Sequence, residues 1–298
     1  YKTDIRISND ILKQLAEVYR KIRNTFRFIL GNLAGFDPDR DRVAYGELLE
    51  IDRWALMRLE QVRQKVTKAY DDYEFHLLYH TVHNFCTIDL SAIYLDILKD
   101  RLYTSVPGAV ERRAAQTAMY EILVTLVAML SPVLSFTTEE AWQHMPKRKG
   151  MPESVQMVLW PEERPEYLDA ALEAKWDKIL ALRGEITKAL ENARRAKTIG
   201  HSLDAAVTLW ADGDDYRQLM AVRDDLATIL IVSQVAVAEG TAKAPADAYR
   251  AEELALAVAV APAKGAKCER CWMYSESVGA DAGDEALCPR CAATVKKL

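Results

Sequence analysis

The stretch that decides the fold reads Cys268-Glu269-Arg270-Cys271-Trp272 and, after a gap, Cys288-Pro289-Arg290-Cys291. Its spacing is C-x2-C-x16-C-x2-C, which is typical of zinc sites. Two residues between paired cysteines let both thiolates face one point, and four thiolates complete tetrahedral zinc with no open position. The pattern therefore predicts one structural zinc ion held by Cys268, Cys271, Cys288 and Cys291.

Two disulfides are the competing interpretation of these cysteines. Disulfides require an oxidising compartment, and nothing else in the chain suggests a secreted protein. The first residues, Tyr1-Lys2-Thr3-Asp4, show no signal-peptide pattern. A segment this short buries too little apolar surface to fold alone, so zinc would supply the folding energy. We therefore favour zinc and expect a cytoplasmic protein.

Length and composition predict an ordinary globular protein of two or three domains. The chain has 298 residues, of which 50% are hydrophobic and 28% charged, with a net charge of -5. This balance gives no global basic field, so any RNA-binding surface must be a local patch. The uncharged run from Ile122 to Thr138 is too short for a membrane span, and we expect no membrane association.

Apolar residues at steps of three and four predict a helical bundle in the first half of the chain. The predicted helices run from Ser8 to near Gly31, Leu48 to Tyr70, Tyr73 to Leu98 and Val110 to Leu134, followed by a short helix through Trp142. We expect Thr137-Thr138-Glu139-Glu140 to start that short helix as a capping box.

The spacing of apolar residues changes in the second half of the chain. A long amphipathic helix is predicted from Tyr167 to Lys197, and alternating residues near Val207, Val235 and Val258 predict strands. The expected fold is mainly α. It has a helical domain at 1–160, a junction domain at 161–262 with a long helix and a small α+β part, and a zinc-ribbon or knuckle domain at 263–298.

The first predicted helix carries Arg20, Arg23, Asn24 and Arg27 on one face. A helix with such a basic strip can follow a phosphate backbone. The alternative is a solvated face whose arginines pair with acidic residues elsewhere in the bundle. Periodicity alone leaves both interpretations open.

The first cysteine pair offers a second candidate RNA-binding surface. Arg270 can contact phosphate or base edges, and Trp272 can stack on a base. Alternatively, Trp272 only covers the zinc knuckle. The chain has no Walker A, Gly-x-Gly-x-x-Gly, Gly-x-Ser-x-Gly or His-Glu-x-x-His pattern. We therefore predict a zinc-stabilised binding module without catalytic residues.

Three strings together carry a family resemblance. They are Arg20-Lys21-Ile22-Arg23-Asn24-Thr25-Phe26-Arg27-Phe28, Asp89-Leu90-Ser91-Ala92-Ile93-Tyr94-Leu95-Asp96 and Leu130-Ser131-Pro132-Val133-Leu134-Ser135-Phe136. They resemble the anticodon-binding helical bundle of the class I aminoacyl-tRNA synthetases for isoleucine, valine and leucine. Lys197-Thr198-Ile199-Gly200 and both cysteine pairs resemble the junction and zinc domains of the bacterial isoleucyl branch.

The resemblance implies the C-terminal part of a longer synthetase, because the ATP-site signatures His-Ile-Gly-His and Lys-Met-Ser-Lys-Ser do not occur in this sequence. It implies an isoleucine-accepting tRNA as partner, catalytic and editing domains in cis, ATP only in the full-length enzyme, and a monomer. It also favours the arginine strip, Arg270 and Trp272 as tRNA contacts. The alternatives are the same region of a valyl- or leucyl-type synthetase and a free-standing RNA-binding module. The cysteine pairs also resemble the finger of formamidopyrimidine-type DNA glycosylases, but those begin with a catalytic Pro-Glu and this chain begins Tyr1-Lys2.

Overall fold

The computed structural model describes residues 6–280, 283 and 285–298, and the chain divides into two compact units. The first unit holds the chain up to Leu98 and Pro107–Asp169, and the second holds Lys99–Val106 and Ala170–Leu298. The fold is mainly helical with two small sheets, which confirms the fold class predicted from the sequence.

Helices make up the first unit. Their bounds are α1 Asn9–Asn32, α2 Glu50–Asp71, α3 Phe75–Asn84, a π-helical segment Phe85–Tyr94, α4 Leu95–Thr104, α5 Val110–Leu130 and α6 Ser135–His144. Single turns of 3₁₀-helix lie at Tyr45–Glu47, Val155–Met157 and Pro165–Tyr167. Residues of α4 from Lys99 onward belong to the second unit.

Helix α1 begins where the sequence predicts. The Ser8 side chain accepts a hydrogen bond from the Ile11 amide at 3.3 Å and caps the helix. Ile22, Phe26 and Ile29 are buried at steps of three and four, so this face belongs to the core.

Helix α5 lies in the core of the bundle. Its residues from Ala114 to Tyr120 are all buried, and it packs against α2 and α6. Pro132 follows its last turn and stops the helix, because proline has no amide to continue the hydrogen-bond ladder. Within the described part of the chain, no helix is both long and apolar enough to cross a membrane.

Two details of the bundle differ from the sequence prediction. The third predicted helix is interrupted by the π-helical segment and reaches Thr104 instead of Leu98. The Ser91 hydroxyl donates to the Cys86 carbonyl, five residues earlier, at 2.6 Å, and this spacing matches the π-helix. The predicted capping box is also wrong. Helix α6 begins at Ser135, and the Thr138 hydroxyl donates to the Leu134 carbonyl at 3.0 Å from inside the helix.

A long helix over a four-stranded sheet forms most of the second unit. The elements are α7 Ala170–Arg195, β1 Ala205–Ala211, α8 Gly213–Ala221, α9 Leu226–Leu230, β2 Gln234–Glu239, β3 Tyr249–Arg250 and β4 Leu256–Pro262. The strand order is β2-β1-β4-β3, with β1 and β2 parallel and the other pairs antiparallel. Alternate residues of β1 are buried, and α7 buries a stripe that includes Trp176, Ile179 and Leu182.

A hairpin and a short helix carry the cysteines. The hairpin pairs β5 Ala266–Lys267 with β6 Tyr274–Ser275, and α10 spans Pro289–Val295. Gly265 enters the hairpin with φ of +92°, and a Cβ at this position would lie 2.2 Å from the Ser275 carbonyl carbon. Only glycine fits there, because any side chain would overlap the opposite backbone.

A candidate zinc centre and two candidate RNA-binding surfaces

The four cysteines of the two pairs converge. The sulfur atoms of Cys268, Cys271, Cys288 and Cys291 all lie within 4.8 Å of one another, and those of Cys271 and Cys288 are 3.9 Å apart. Four thiolates at about 2.3 Å from one zinc ion lie about 3.8 Å from each other. A disulfide needs about 2.0 Å between its sulfurs, and all four cysteines are free. The donor set and its spacing fit a four-thiolate zinc site.

Backbone geometry holds the first pair of cysteines in place. The Trp272 amide donates to the Cys268 carbonyl at 2.9 Å, and the Cys268 amide donates to the Met273 carbonyl at 2.9 Å. Burial raises the pKa of Cys268, but donation from nearby backbone amides lowers it by more, and the pKa is about 6. Such a thiol ionises readily, whereas burial raises the pKa of Cys271 and of Cys291.

The second pair lies at the start of α10. Cys288 is the residue just before the helix, Pro289 occupies the first turn, and Cys291 is buried in it. Proline suits this position because the first helical amides have no partner within the helix. The Cys288 amide donates to the Cys268 sulfur at 3.4 Å, so the two pairs also share a hydrogen bond.

Two arginines connect the cysteine cluster to the Lys99–Val106 segment of the same unit. The Arg270 guanidinium donates to the Thr104 carbonyl at 2.6 Å. Arg290 donates two hydrogen bonds to the Asp100 carboxylate, at 2.6 and 2.7 Å. The hydrogen bonds to Asp100 raise the pKa of Arg290, and its contact with Cys271 adds to the shift. Arg270 therefore already has a hydrogen-bond partner within the protein. Arg290 was not among the site residues predicted from the sequence.

The sequence does contain a pattern that could have identified Arg290. Both cysteine pairs read Cys-x-Arg-Cys, with an arginine directly before the second cysteine. In the structure both arginines reach the segment that ends α4. The repeated position predicts a shared role, and the observed contacts make that role one of attachment.

Trp272 projects from the first pair of cysteines. Its side chain is 58% exposed, and Lys267 places its ammonium 5.7 Å from the ring centre. Its φ is +64°, in the left-handed region that a large side chain rarely adopts. A non-glycine residue there costs about 1–2 kcal/mol. The left-handed backbone belongs to the turn in which the Trp272 amide donates to the Cys268 carbonyl, and the ring of Trp272 is left open to solvent.

The arginine strip lies on the exposed face of α1. Arg20, Arg23, Asn24 and Arg27 are all exposed. Arg20 pairs with Glu17 on the same helix, and Arg23 lies 3.8 Å from Glu140 of α6. Both pairs are exposed and therefore weak, so they leave the arginines available to another anion.

Comparison with known proteins gives the family. Residues 52–209 match the family described as the anticodon-binding domain of tRNA ligase, which covers more than half of the chain. Residues 265–293 match a second family, described as the zinc finger found in FPG and IleRS. The chain belongs to the family of tRNA ligase anticodon-binding domains, which confirms the resemblance seen in the sequence.

Individual relatives are more specific. The chain is 56% identical over 297 residues to the isoleucine–tRNA ligase of Desulforamulus reducens and 52% identical over 299 residues to that of Moorella thermoacetica. It is 53% identical over 298 residues to the isoleucine–tRNA ligase of Carboxydothermus hydrogenoformans. Each alignment covers 100% of this chain and 32% of the relative, so the chain spans about a third of the length of these relatives.

Proposed function

We propose that this chain is the C-terminal, tRNA-binding part of an isoleucine–tRNA ligase. It binds the anticodon stem and loop of the isoleucine tRNA and positions this tRNA for ATP-dependent aminoacylation. The catalytic and editing domains belong to the part of the ligase that this chain does not include. The observation that carries the proposal is the combination, in one chain, of an anticodon-binding match over residues 52–209 with the four-cysteine cluster.

The three-domain division belongs to the proposal. Residues 1–160 bind the tRNA, residues 161–262 form the junction, and residues 263–298 form the zinc domain. One zinc ion, held by Cys268, Cys271, Cys288 and Cys291, stabilises the last domain. When bound, zinc supplies structural crosslinking and no chemistry, because four thiolates leave no open position. The ligase acts as a monomer in the cytoplasm.

The two candidate surfaces have different roles in this proposal. Arg20, Arg23, Asn24 and Arg27 contact the RNA backbone, which positions the tRNA without reading its sequence. Trp272 stacks on an anticodon-loop base. Because Arg270 already donates to the Thr104 carbonyl, its contribution to tRNA binding is to hold the knuckle that carries Trp272.

A binding measurement tests the proposal. Zinc-loaded protein should bind an isoleucine tRNA transcript more tightly than an unrelated tRNA, measured by fluorescence anisotropy at two salt concentrations. The same protein should show no isoleucine-dependent pyrophosphate exchange, since none of the ATP-site signatures is present in this sequence. Equal affinity for all tRNAs would contradict the assignment, as would pyrophosphate exchange by the pure chain.

A further inference from the structure

We propose that the groove between α1 and α6 binds one phosphate and its ribose from the tRNA backbone, and that Glu140 competes with this phosphate for Arg23. The inference rests on the proposed function, since it identifies where the arginine strip meets RNA. It goes beyond that function by naming a cleft, a competing anion and a glycine that keeps the cleft open.

The groove is formed by one face of each helix. Arg23, Arg27 and Gly31 follow one another at steps of four on α1, opposite Glu140 and His144 on α6. The cavity volume is 560 Å³. Sites for small ligands measure about 300–1,000 Å³, so the groove is large enough for a nucleotide unit.

Gly31 leaves the end of the groove open. It lies in the last turn of α1 without a left-handed φ, so the backbone does not require glycine there. Apart from the neighbouring residues and the nearby backbone of its own helix, no atom lies within 4 Å of the position that its Cβ would occupy, so close packing does not require glycine either. A helical glycine is less favourable than alanine. What the missing side chain does provide is open space at the end of the groove.

The charges of the groove favour a single phosphate. Arg27 is exposed and has no ion pair within the described ranges, whereas Arg23 lies 3.8 Å from Glu140. The side chains of Arg23 and Glu140 are 46% and 59% exposed, so solvent screens this pair and it breaks easily. A phosphate between the two guanidinium groups would take Arg23 from Glu140 and would be repelled by the carboxylate.

The apolar floor of the groove favours binding of the RNA backbone over binding of an RNA base. Phe26, Leu30 and Ala141 line it with apolar surface, and Phe26 is only 2% exposed. A ring buried to this extent has no free face on which a base could stack. The groove therefore suits a phosphate between the arginines with its ribose against the apolar floor, and we expect it to contribute affinity without sequence preference.

Substitutions of increasing size at Gly31 test whether open space at this end of the groove is needed for tRNA binding. Gly31→Ala should weaken binding of the isoleucine tRNA slightly, and Gly31→Leu should weaken it by about tenfold or more, because a charge-assisted contact is lost. Gly184 in α7 supplies the matched control, since its Cβ position is also open and it lies outside the groove. Gly184→Leu should bind like wild type. Melting temperatures of all three variants show whether the fold is kept.

Glu140→Gln tests the competition and depends little on folding, because the side chain is exposed. It should strengthen tRNA binding by about threefold, as expected for removing one screened like charge. An anticodon stem–loop scanned with single neutral methylphosphonate linkages gives the third test. One linkage should weaken binding to wild type and have no effect on Gly31→Leu.

The outcomes separate the two proposals. If wild type binds the isoleucine tRNA but Gly31→Leu and Glu140→Gln both bind like wild type, the groove inference is wrong and the proposed function stands. If no methylphosphonate position distinguishes wild type from Gly31→Leu, the groove does not hold a phosphate. If wild type does not bind the tRNA, both proposals fail.

Discussion

Replacing Trp272 with glycine should separate the stability of the knuckle from its affinity for tRNA. The side chain is 58% exposed, so its removal opens no core cavity. Its backbone has φ of +64°, which glycine adopts without the steric cost that an L residue carries. The substitution therefore acts on the fold and on RNA binding through different physical effects.

The magnitudes follow from these contacts. Relief of the left-handed strain gains about 1–2 kcal/mol. Loss of the Lys267–Trp272 interaction, at 5.7 Å from the ring centre, costs about 0.5–1 kcal/mol at this exposure. The free energy of unfolding should thus rise by between 0 and about 1.5 kcal/mol. Loss of one stacked base costs about 1–3 kcal/mol of binding, or about 5- to 150-fold in affinity.

The assay combines three measurements on Trp272→Gly, Trp272→Phe and wild type. Zinc content by elemental analysis and the melting temperature report on the fold, and anisotropy with an isoleucine anticodon stem–loop reports on binding. We expect equal zinc content, a melting temperature near that of wild type, and much weaker binding by the glycine variant only. If Trp272→Gly binds like wild type, the tryptophan is not a stacking platform. If it loses zinc, the tryptophan is part of the knuckle fold.

The remaining predictions concern the cluster and its attachment. Cys291→Ser should abolish the single zinc ion per chain measured in freshly reduced protein, with Cys86 still reacting as a free thiol after denaturation; undiminished zinc would exclude Cys291 as a ligand. Gly265→Ala should destabilise the zinc domain by about 2 kcal/mol or more, because its Cβ would lie 2.2 Å from backbone; unchanged zinc affinity in a chelator competition would contradict this. A double-mutant cycle of Asp100→Asn and Arg290→Lys should give a coupling free energy of about 0.5–1 kcal/mol in unfolding experiments. This value is small because Arg290 is 49% exposed. Additive effects of the two substitutions would show that the pair is not coupled.

Local patterns in the sequence predict most of the helices because burial repeats with the helical period. Ile22, Phe26 and Ile29 have the spacing of a core-facing stripe, and the structure buries all three. The π-helical segment is different. A Ser91 side chain that bonds five residues back competes with the regular ladder, and apolar spacing carries no trace of that contact.

In the candidate sites, too, some features follow from the local sequence and others depend on contacts between distant residues. The convergence of the cysteines follows from a local spacing that the sequence displays directly. The engagement of Arg270 depends on the Thr104 carbonyl, which lies 166 residues earlier in the chain. A contact over that separation leaves no periodic signal, so the sequence suggested a free arginine. Glu140 beside Arg23 is a second such case, since the two residues lie on different helices.

The bond between Arg290 and Asp100 has a consequence for the timing of synthesis. Its two partners are 190 residues apart, so the ribosome must make all the intervening chain before they can meet. At about 5–20 residues per second, this interval is roughly 10–40 seconds. During that time the Asp100 carboxylate and the Thr104 carbonyl lack their arginine partners. A chain released before Arg270 and Arg290 are made would keep this helix end without the two side chains that attach it to the cysteine cluster.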